Sequence, residues 1–406
     1  MEPVPPACYE RPMAIVTTVD LILDAGLAVL AEAGPEGASV RGIADRAGVP
    51  AATLQHHFAS KQALLKAIYA RAADRHVAAT ATALSAFAGL AALPVPDTEL
   101  AIALLRTWLG EAERATAGIL HLLAQAARDG TYAPMARDWE ARMVAAMAGE
   151  AGLPADMAGF VLELIVGVAL ASAPHAFRVE KDVLDRELLL FVFGRRDADA
   201  GGWLRAFRDR EKRRDPGDAD RAVSGDVARA VLDAGIRMMA ESGGDALSYR
   251  KVAARAAVAP SSVLYNFPTR QHLVMAIYED IHRRFTRSVP AGRLESAGLV
   301  DRVVAMFPPM ITRQMAGEVP LVLASCELFL AGWRDPELAH QAWSMRLARG
   351  QVRDDAGATP NEDLLSHFLS LWTIGLGMLH LSRDPAEREG HIVARMRAGA
   401  VLARLG

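Results

Sequence analysis

Between positions 39 and 61 the chain gathers Ser39, Arg41, Gln55, His56, His57 and Lys61 around a skeleton of small and apolar residues. Two chemistries suit such a set. Adjacent histidines suggest a metal, but neighbouring positions on a helix do not face one another, so His56 and His57 make a poor ligand pair and no metal is expected. Hydrogen bonding fits better. A glutamine amide donates and accepts at once, serine does the same on a smaller scale, and arginine and lysine present charge to phosphate. Catalytic chemistry is not on offer. The sequence has no glycine-rich phosphate loop, no nucleophile elbow, no HExxH and no paired carboxylates in a recognisable context, so neither an enzyme nor a cofactor is expected.

The elements that would position these groups are short helices. Ser39 is a helix N-cap whose hydroxyl can satisfy an orphan amide, and Val40, Ile43, Ala44 and Ala47 recur behind it at helical spacing until Gly48 stops the run. A second helix is expected from about Pro50, where proline suits a first turn that needs no donor, to Phe58; Ser60 opens a third. Two short helices joined by a glycine-containing turn are the helix-turn-helix pattern, in which the second helix enters the DNA major groove. The start of that helix then reaches base edges and flanking helix N-termini hold phosphate. For the groove this points to Pro50, Ala51, Ala52, Thr53, Gln55 and His56, and for the backbone to Ser39, Arg41 and Lys61.

The stretch resembles the DNA-binding domain of the TetR family of transcriptional regulators. The residues that carry the resemblance are Ala44, Ala47-Gly48-Val49, Leu54, His56-His57-Phe58, Ser60-Lys61 and Leu64-Leu65. It implies a helix at about 15–33 bracing the motif from behind, and a long helix from Ser60 linking it to a larger helical domain that encloses a small-molecule pocket.

A second copy of the motif settles the organisation. Residues 248–270 align without a gap to 39–61 at an offset of 209, and the same offset pairs Asp24-Ala25-Gly26 with Asp233-Ala234-Gly235 and Ile68-Tyr69 with Ile277-Tyr278. In this copy Ala259, Pro260, Ser261, Ser262, Leu264 and Tyr265 correspond to the groove set, and Ser248, Tyr249, Arg250, Lys251 and Arg270 to the phosphate set. Family members usually carry Ser or Thr where Pro50 and Ala259 stand, and Tyr where Gln55 and Leu264 stand. The two copies are therefore expected to read differently, because Gln55 can pair with an adenine edge while Leu264 offers only an apolar contact. Since family members are usually half this length and dimerise, the chain is expected to fold as an internal pseudo-dimer, monomeric in solution, on an operator of unlike half-sites.

The fold class expected is all-α, with two family-like units in tandem: a tail at 1–13, a DNA-binding domain at 14–72, a helical domain at 73–193, a linker at 194–223, a second DNA-binding domain at 224–284 and a second helical domain at 285–406. Helices are read at 97–113, 115–129, 134–151, 155–172 and 180–193, and the one at 155–172 is apolar nearly all round, as a helix buried between two protomers would be. The linker is rich in Arg, Asp and Gly and reads as a solvated connector, with Trp203, Leu204 and Phe207 in a short docked helix; phosphate contact by Arg210, Lys212, Arg213 and Arg214 is the alternative.

Composition agrees with a regulator whose positive charge is local. The net charge is −3, hydrophobic residues make up 52% and aromatics only 6%, which favours helices packed on helices. Cys8 and Cys326 form no redox or metal motif, the tail lacks the order of a signal peptide, and the longest apolar run contains Glu163. A cytoplasmic protein is expected. For a small apolar effector, candidate contacts are Trp108, His121, Gln125, Trp139 and Met143 in the first half. In the second they are Met306, Met310, Met315, Trp333, Trp343, Met345, Trp372 and Met378, the half favoured because thioethers and aromatics suit an apolar ligand. The competing function is a helical ligand-sensing or protein-interaction module with weakened DNA binding.

Overall fold

The computed structural model describes residues 17–88, 97–172, 176–194, 200–214, 225–244, 247–288, 304, 307–308, 321–351 and 359–403. Among them there is no strand, and the fold is all-α. In the first half α1 (Thr18–Gly37) precedes α2 (Val40–Ala47), α3 (Ala51–His57) and the long α4 (Lys61–Ala88). The helical domain follows as α5 (Asp97–Leu109), α6 (Glu113–Arg128), α7 (Ala133–Ala151), α8 (Ala155–Leu170) and α9 (Arg178–Phe193). After α10 (Gly202–Arg214) the plan repeats with α11 (Asp226–Ser242), α12 (Tyr249–Arg255), α13 (Pro260–Asn266) and α14 (Arg270–Ser288). The described part of the second helical domain holds α15 (Leu321–Arg334), α16 (Pro336–Ala348), α17 (Pro360–His380) and α18 (Pro385–Leu402). The tail at 1–13 lies outside the described residues. No single described helix is long and apolar enough to cross a membrane.

The helix ends follow from local chemistry. Thr17 and Asp20 form a capping box on α1, and Gly34, at φ 68°, breaks it just past the expected end at about 33; Pro35 then starts one further turn. Pro50 stands one place earlier than expected, as the N-cap of α3 and not in its first turn. Gly48 adopts φ 69°, a left-handed conformation that closes α2 with hydrogen bonds to Ala44 and Asp45 carbonyls.

The two halves meet along α8 and α17. From Met157 to Leu170 every position of α8 but Glu163 is apolar or small, and every residue from Phe160 to Leu170 is buried. The crossing point is Gly167 against Gly375. A β-carbon on Gly167 would collide with the Leu371 carbonyl, and one on Gly375 with the Glu163 carbonyl. Position 371 is to the second half what 163 is to the first, at the 208-residue offset that also pairs the glycines. The contact is thus nearly self-complementary, as across a two-fold axis between identical subunits. Phe160 packs edge-on to Trp372 at 5.4 Å and Phe368 stacks on Trp372 at 5.8 Å.

Glu163 is buried in this seam and serves as its polar register. Its carboxylate accepts from Trp372 Nε1 at 3.0 Å and Arg395 Nε at 2.6 Å, and lies 3.2 Å from His380 Nε2, all from the second half. Burial pushes the carboxyl up, but the His380 hydrogen bond and the Arg395 charge more than offset it and hold the group below the usual carboxylate range. Trp333 adds a bond from Nε1 to the Leu170 carbonyl at 3.2 Å.

The stretch read as a solvated connector is corrected for residues 202–214. Here α10 docks on the second half because its arginines find buried acceptors that a connector would leave in water. Glu187 of α9 receives the amides of Gly201, Trp203 and Leu204 at 3.0, 3.0 and 3.1 Å, which starts the helix. Leu204 and Phe207 are buried as expected, whereas Trp203 is 56% exposed. Arg205 pairs with Asp363 at 2.6 Å, and Arg208, itself buried, donates to the carbonyls of Leu347 and Arg349 at 2.7 and 2.9 Å. Arg210 pairs with Glu180 at 3.0 Å.

Because the collision at the crossing is with backbone that cannot rotate away, Gly375→Ala is expected to cost about 3 kcal/mol. Urea unfolding measures it. Gly149→Ala, at an exposed helical position with nothing near the added carbon, serves as the control and should stabilise slightly, by up to about 1 kcal/mol.

Candidate nucleic-acid interface

Each DNA-binding unit is a three-helix packing in which apolar residues fix the angle of the second motif helix. Ile43, Ala44 and Leu54 are buried in the first unit, Val252, Ala253, Val263 and Phe267 in the second. Val49, Phe58 and Val258 are partly buried against them. Gly26 and Gly235 let the bracing helix approach the long helix so closely that a β-carbon would run into Ile68 or Ile277.

The 209-residue register extends to individual bonds. Arg46 pairs with Glu32 as Arg255 pairs with Glu241, and Arg75 reaches Asp24 at 2.5 Å as Arg284 reaches Asp233 at 2.5 Å. Ser39 Oγ accepts from the Gly42 amide at 3.0 Å and Ser248 Oγ from the Lys251 amide at 3.4 Å. Ser60 and Thr269 cap the long helices through the amides of Ala63 and His272, each at 3.1 Å. Neither α3 nor α13 has a side-chain cap, since Pro50 and Ala259 occupy that position.

The expected groove residues form one exposed face on each unit. Pro50, Ala51, Ala52, Gln55 and His56 are exposed and Thr53 is half-buried; Ala259, Pro260, Ser261, Leu264 and Tyr265 are exposed and Ser262 is half-buried. Tyr265 is 87% and Leu264 53% exposed, unusual for large apolar groups with no partner in the fold. The flanking cations differ by one, because Lys251 stands where the first unit has Gly42. In the first unit Arg46 is held by Glu32, Lys61 leans on the Glu36 carbonyl at 3.4 Å and Arg41 has Asp45 3.9 Å away. The second unit presents exposed Arg250, Lys251 and Arg270, the last 3.4 Å from the Leu247 carbonyl. One expected phosphate contact is corrected: Tyr249 spends its hydroxyl inside the unit, donating to the Phe267 carbonyl at 2.7 Å.

A link between the halves that sequence reasoning missed positions the second unit. Arg128, at the end of α6, donates through Nε to the Ala240 carbonyl at 2.7 Å and through Nη2 to the Met239 carbonyl at 3.4 Å, and pairs with buried Glu327. Glu327 also receives the Gly244 amide at 3.0 Å. The end of α11 is thus held by a residue of the first half. The signal was present but faint: α6 and α15 both end in Arg-Asp, at 128–129 and 334–335, and in that register Glu327 stands where the first half has His121.

The expected effector contacts separate into groups. Trp108, Trp139 and Met143 come together in the first-half core, with His76 of α4 wedged between the indoles, its ring 4.4 Å from Trp108 and 5.5 Å from Trp139. Trp108 Nε1 bonds Thr80 at 3.1 Å, whereas both His76 nitrogens and Trp139 Nε1 are buried without a hydrogen-bond partner. His121 is buried nearer the seam and Gln125 is half-buried. In the second half Trp333 and Trp372 bond across the seam, Trp343 stacks on Phe177 at 5.2 Å, and Met345 and Met378 are buried. Met306, Met310 and Met315 lie outside the described residues.

Two exposed motif faces on one helical body define a helix-turn-helix DNA-binding protein. The family model described as bacterial regulatory proteins, tetR family, matches the chain twice, at residues 22–68 and 231–277, and the two spans stand in the same 209-residue register. The chain thus carries the DNA-binding domain of this family of transcriptional regulators twice, in tandem. No curated protein matches it.

The second unit carries alanine where the first has Gly48: Ala257 sits at φ 55°. A left-handed residue with a β-carbon costs about 1–2 kcal/mol, of which glycine's unfolded-state freedom returns part. Ala257→Gly is therefore expected to stabilise the protein by about 1 kcal/mol and Gly48→Ala to destabilise it by a similar amount, read by thermal unfolding. His76 supplies a pH test. Burial lowers it from 6.5 to about 3, so its contribution is complete above about pH 6.5 and declines as the pH falls toward 3, where only the unfolded chain has already taken the proton. Denaturant titrations at pH 7 and pH 5 should show His76→Phe keeping about 2 kcal/mol that the unsubstituted protein loses.

Proposed function

We propose that the protein is a ligand-responsive repressor that acts as an intramolecular pseudo-dimer on an operator of two unlike half-sites. The observation that carries this reading is the contrast between the exposed faces of α3 and α13 within units that repeat the same internal contacts 209 residues apart. Gln55 presents an amide that can donate and accept, while at the corresponding position Leu264 presents an apolar side chain suited to a thymine methyl, beside the exposed Tyr265 phenol. The second unit, with Arg250, Lys251 and Arg270, supplies the larger share of phosphate attraction, and the first unit supplies more of the base discrimination. A small, largely apolar effector acts by favouring an arrangement of the units that cannot span the site, and it shifts the equilibrium only by its difference in affinity for the two arrangements.

The exposed Leu264 and Tyr265 on α13 also favour a second reading, a protein-interaction or ligand-sensing module with weakened DNA binding. A gel-shift with the DNA upstream of its own coding region separates the two. Mass measurement at micromolar concentration checks the pseudo-dimer, and an obligate dimer of full chains would count against it.

Selection from random DNA is expected to return asymmetric sites with half-sites one helical turn or more apart; recovery of perfect palindromes would defeat the proposal. Arg250→Ala and Lys251→Ala should each weaken binding to all sequences alike and reduce the salt slope by about one unit, measured by titration over a range of salt.

A further inference from the structure

One helix touches both DNA-binding units. α6 belongs to the first half and backs the first unit: a β-carbon on Gly118 would run into Ala72 of α4 and Leu27 of α1, so the helix lies directly on both. About 15 Å further along, Arg128 ends the same helix and takes hold of the second unit at the Met239 and Ala240 carbonyls. Glu327 completes the grip from α15, pairing with Arg128 and receiving the Gly244 amide. The Arg128 side chain is 10% exposed and that of Glu327 6%, so these bonds are made almost out of water, where they hold most firmly. The guanidinium is a rigid fork, and bonds from it to two carbonyls and a carboxylate fix direction as well as distance.

The bond from loop amide to glutamate has no equivalent at the first unit. Gly34 and Gly243 stand at matching places after the bracing helices in similar left-handed conformations, φ 68° and 84°. The next residue is Gly244 in one loop and Pro35 in the other, and proline has no amide to donate. The position that matches Glu327 is His121, also buried. Donor and acceptor have changed together. A firm mount matters because a chain that reads two half-sites binds the second at an effective concentration, which is highest at the spacing its mount holds. One added base pair moves a half-site by about 3.4 Å and turns it by about 35°, more than hydrogen bonds of fixed direction tolerate.

We propose that Arg128 and Glu327 are positioning residues that set which half-site spacing the protein accepts, by fixing the second DNA-binding unit to the helix that backs the first. The proposal rests on the pseudo-dimer reading and names the side chains that decide spacing within it. Released from the clamp, the second unit stays joined to its own bundle through α14 and samples a wider range of positions. Affinity then falls at the preferred spacing and is shared out among its neighbours.

Titration of the full chain against its selected operator, with base pairs between the half-sites added or removed one at a time, tests it. The unsubstituted protein is expected to prefer one spacing over its neighbours by about tenfold or more. Arg128→Met combined with Glu327→Gln removes both charges together and keeps an acceptor for the Gly244 amide, so the variant should fold. Its preference for that spacing should fall by about tenfold, the size of one charge-assisted hydrogen bond, and Arg128→Lys, which keeps the charge without the fork, should fall between. A variant that was merely less stable would lose affinity for every spacing alike and keep the ratio. Without DNA, spin labels on Ala52→Cys and Ser261→Cys in a Cys8→Ser chain report the distance between the exposed motif faces; Cys326 is buried. The distribution is expected to be narrow with the clamp intact and about twice as broad in the double variant. No spacing preference in the unsubstituted protein, an unchanged ratio in the double variant, or an unchanged distance distribution would each overturn the proposal. Recovery of no operator at all would tell against the pseudo-dimer reading itself, and the label distances would then judge the clamp.

Discussion

The close approach of α8 and α17 at Gly167 and Gly375 is the constraint on which the arrangement depends. Two helices can bring their backbones this near only where both lack a side chain, and the apolar residues around the crossing then pack without voids. Shared apolar surface gives the seam its strength, but surface alone is indifferent to sliding. The glycine pair fixes one point of contact, and Glu163, received by Trp372, His380 and Arg395, fixes the register about it. Each helical domain carries its long helix, α4 or α14, and through it a DNA-binding unit, so the geometry of the seam is passed outward to both motifs.

Symmetry is kept where geometry is demanding and lost where chemistry can vary. Within the DNA-binding units the same glycine meets the same isoleucine, and the same arginines find the same carboxylates, 209 residues apart. These are contacts on which the angle between motif and long helix depends. Between the units the resemblance fades. Arg128 holds the end of α11 in company with Glu327, while the first half has His121 in place of that glutamate. Burial, with Arg334 and Arg128 nearby, keeps His121 well below the usual imidazole range. The second unit is consequently tied to the opposite half by a charged clamp that uses a glutamate where the first half has a histidine.

How much of this could be read beforehand follows from how local each feature is. The motif helices, their serine caps and the glycine turn depend on residues a few places apart, and the repeat made them legible twice. The all-α class and the helices of the first bundle followed from spacing, with ends shifted by a few residues, as at Leu109 and Arg178. The burial of 155–172 was legible from its composition, and its partner was not, because nothing along the chain says that Glu163 will meet Arg395. For the same reason α10 was read as a solvated connector: a run of arginines looks exposed until Asp363 and the carbonyls of Leu347 and Arg349 are brought to it. The indoles drew attention as ligand contacts, yet Trp333 and Trp372 donate across the seam.

The placement of Glu163 also governs which copies can associate. Were two first halves from separate molecules to cross in the manner of α8 and α17, two carboxylates would enter a dry interface with no indole, imidazole or guanidinium to receive them. Two second halves would bury His380 and Arg395 together with no acid between them. Only an unlike pairing satisfies both, so selection against homotypic assembly is written into one side chain at the middle of the molecule.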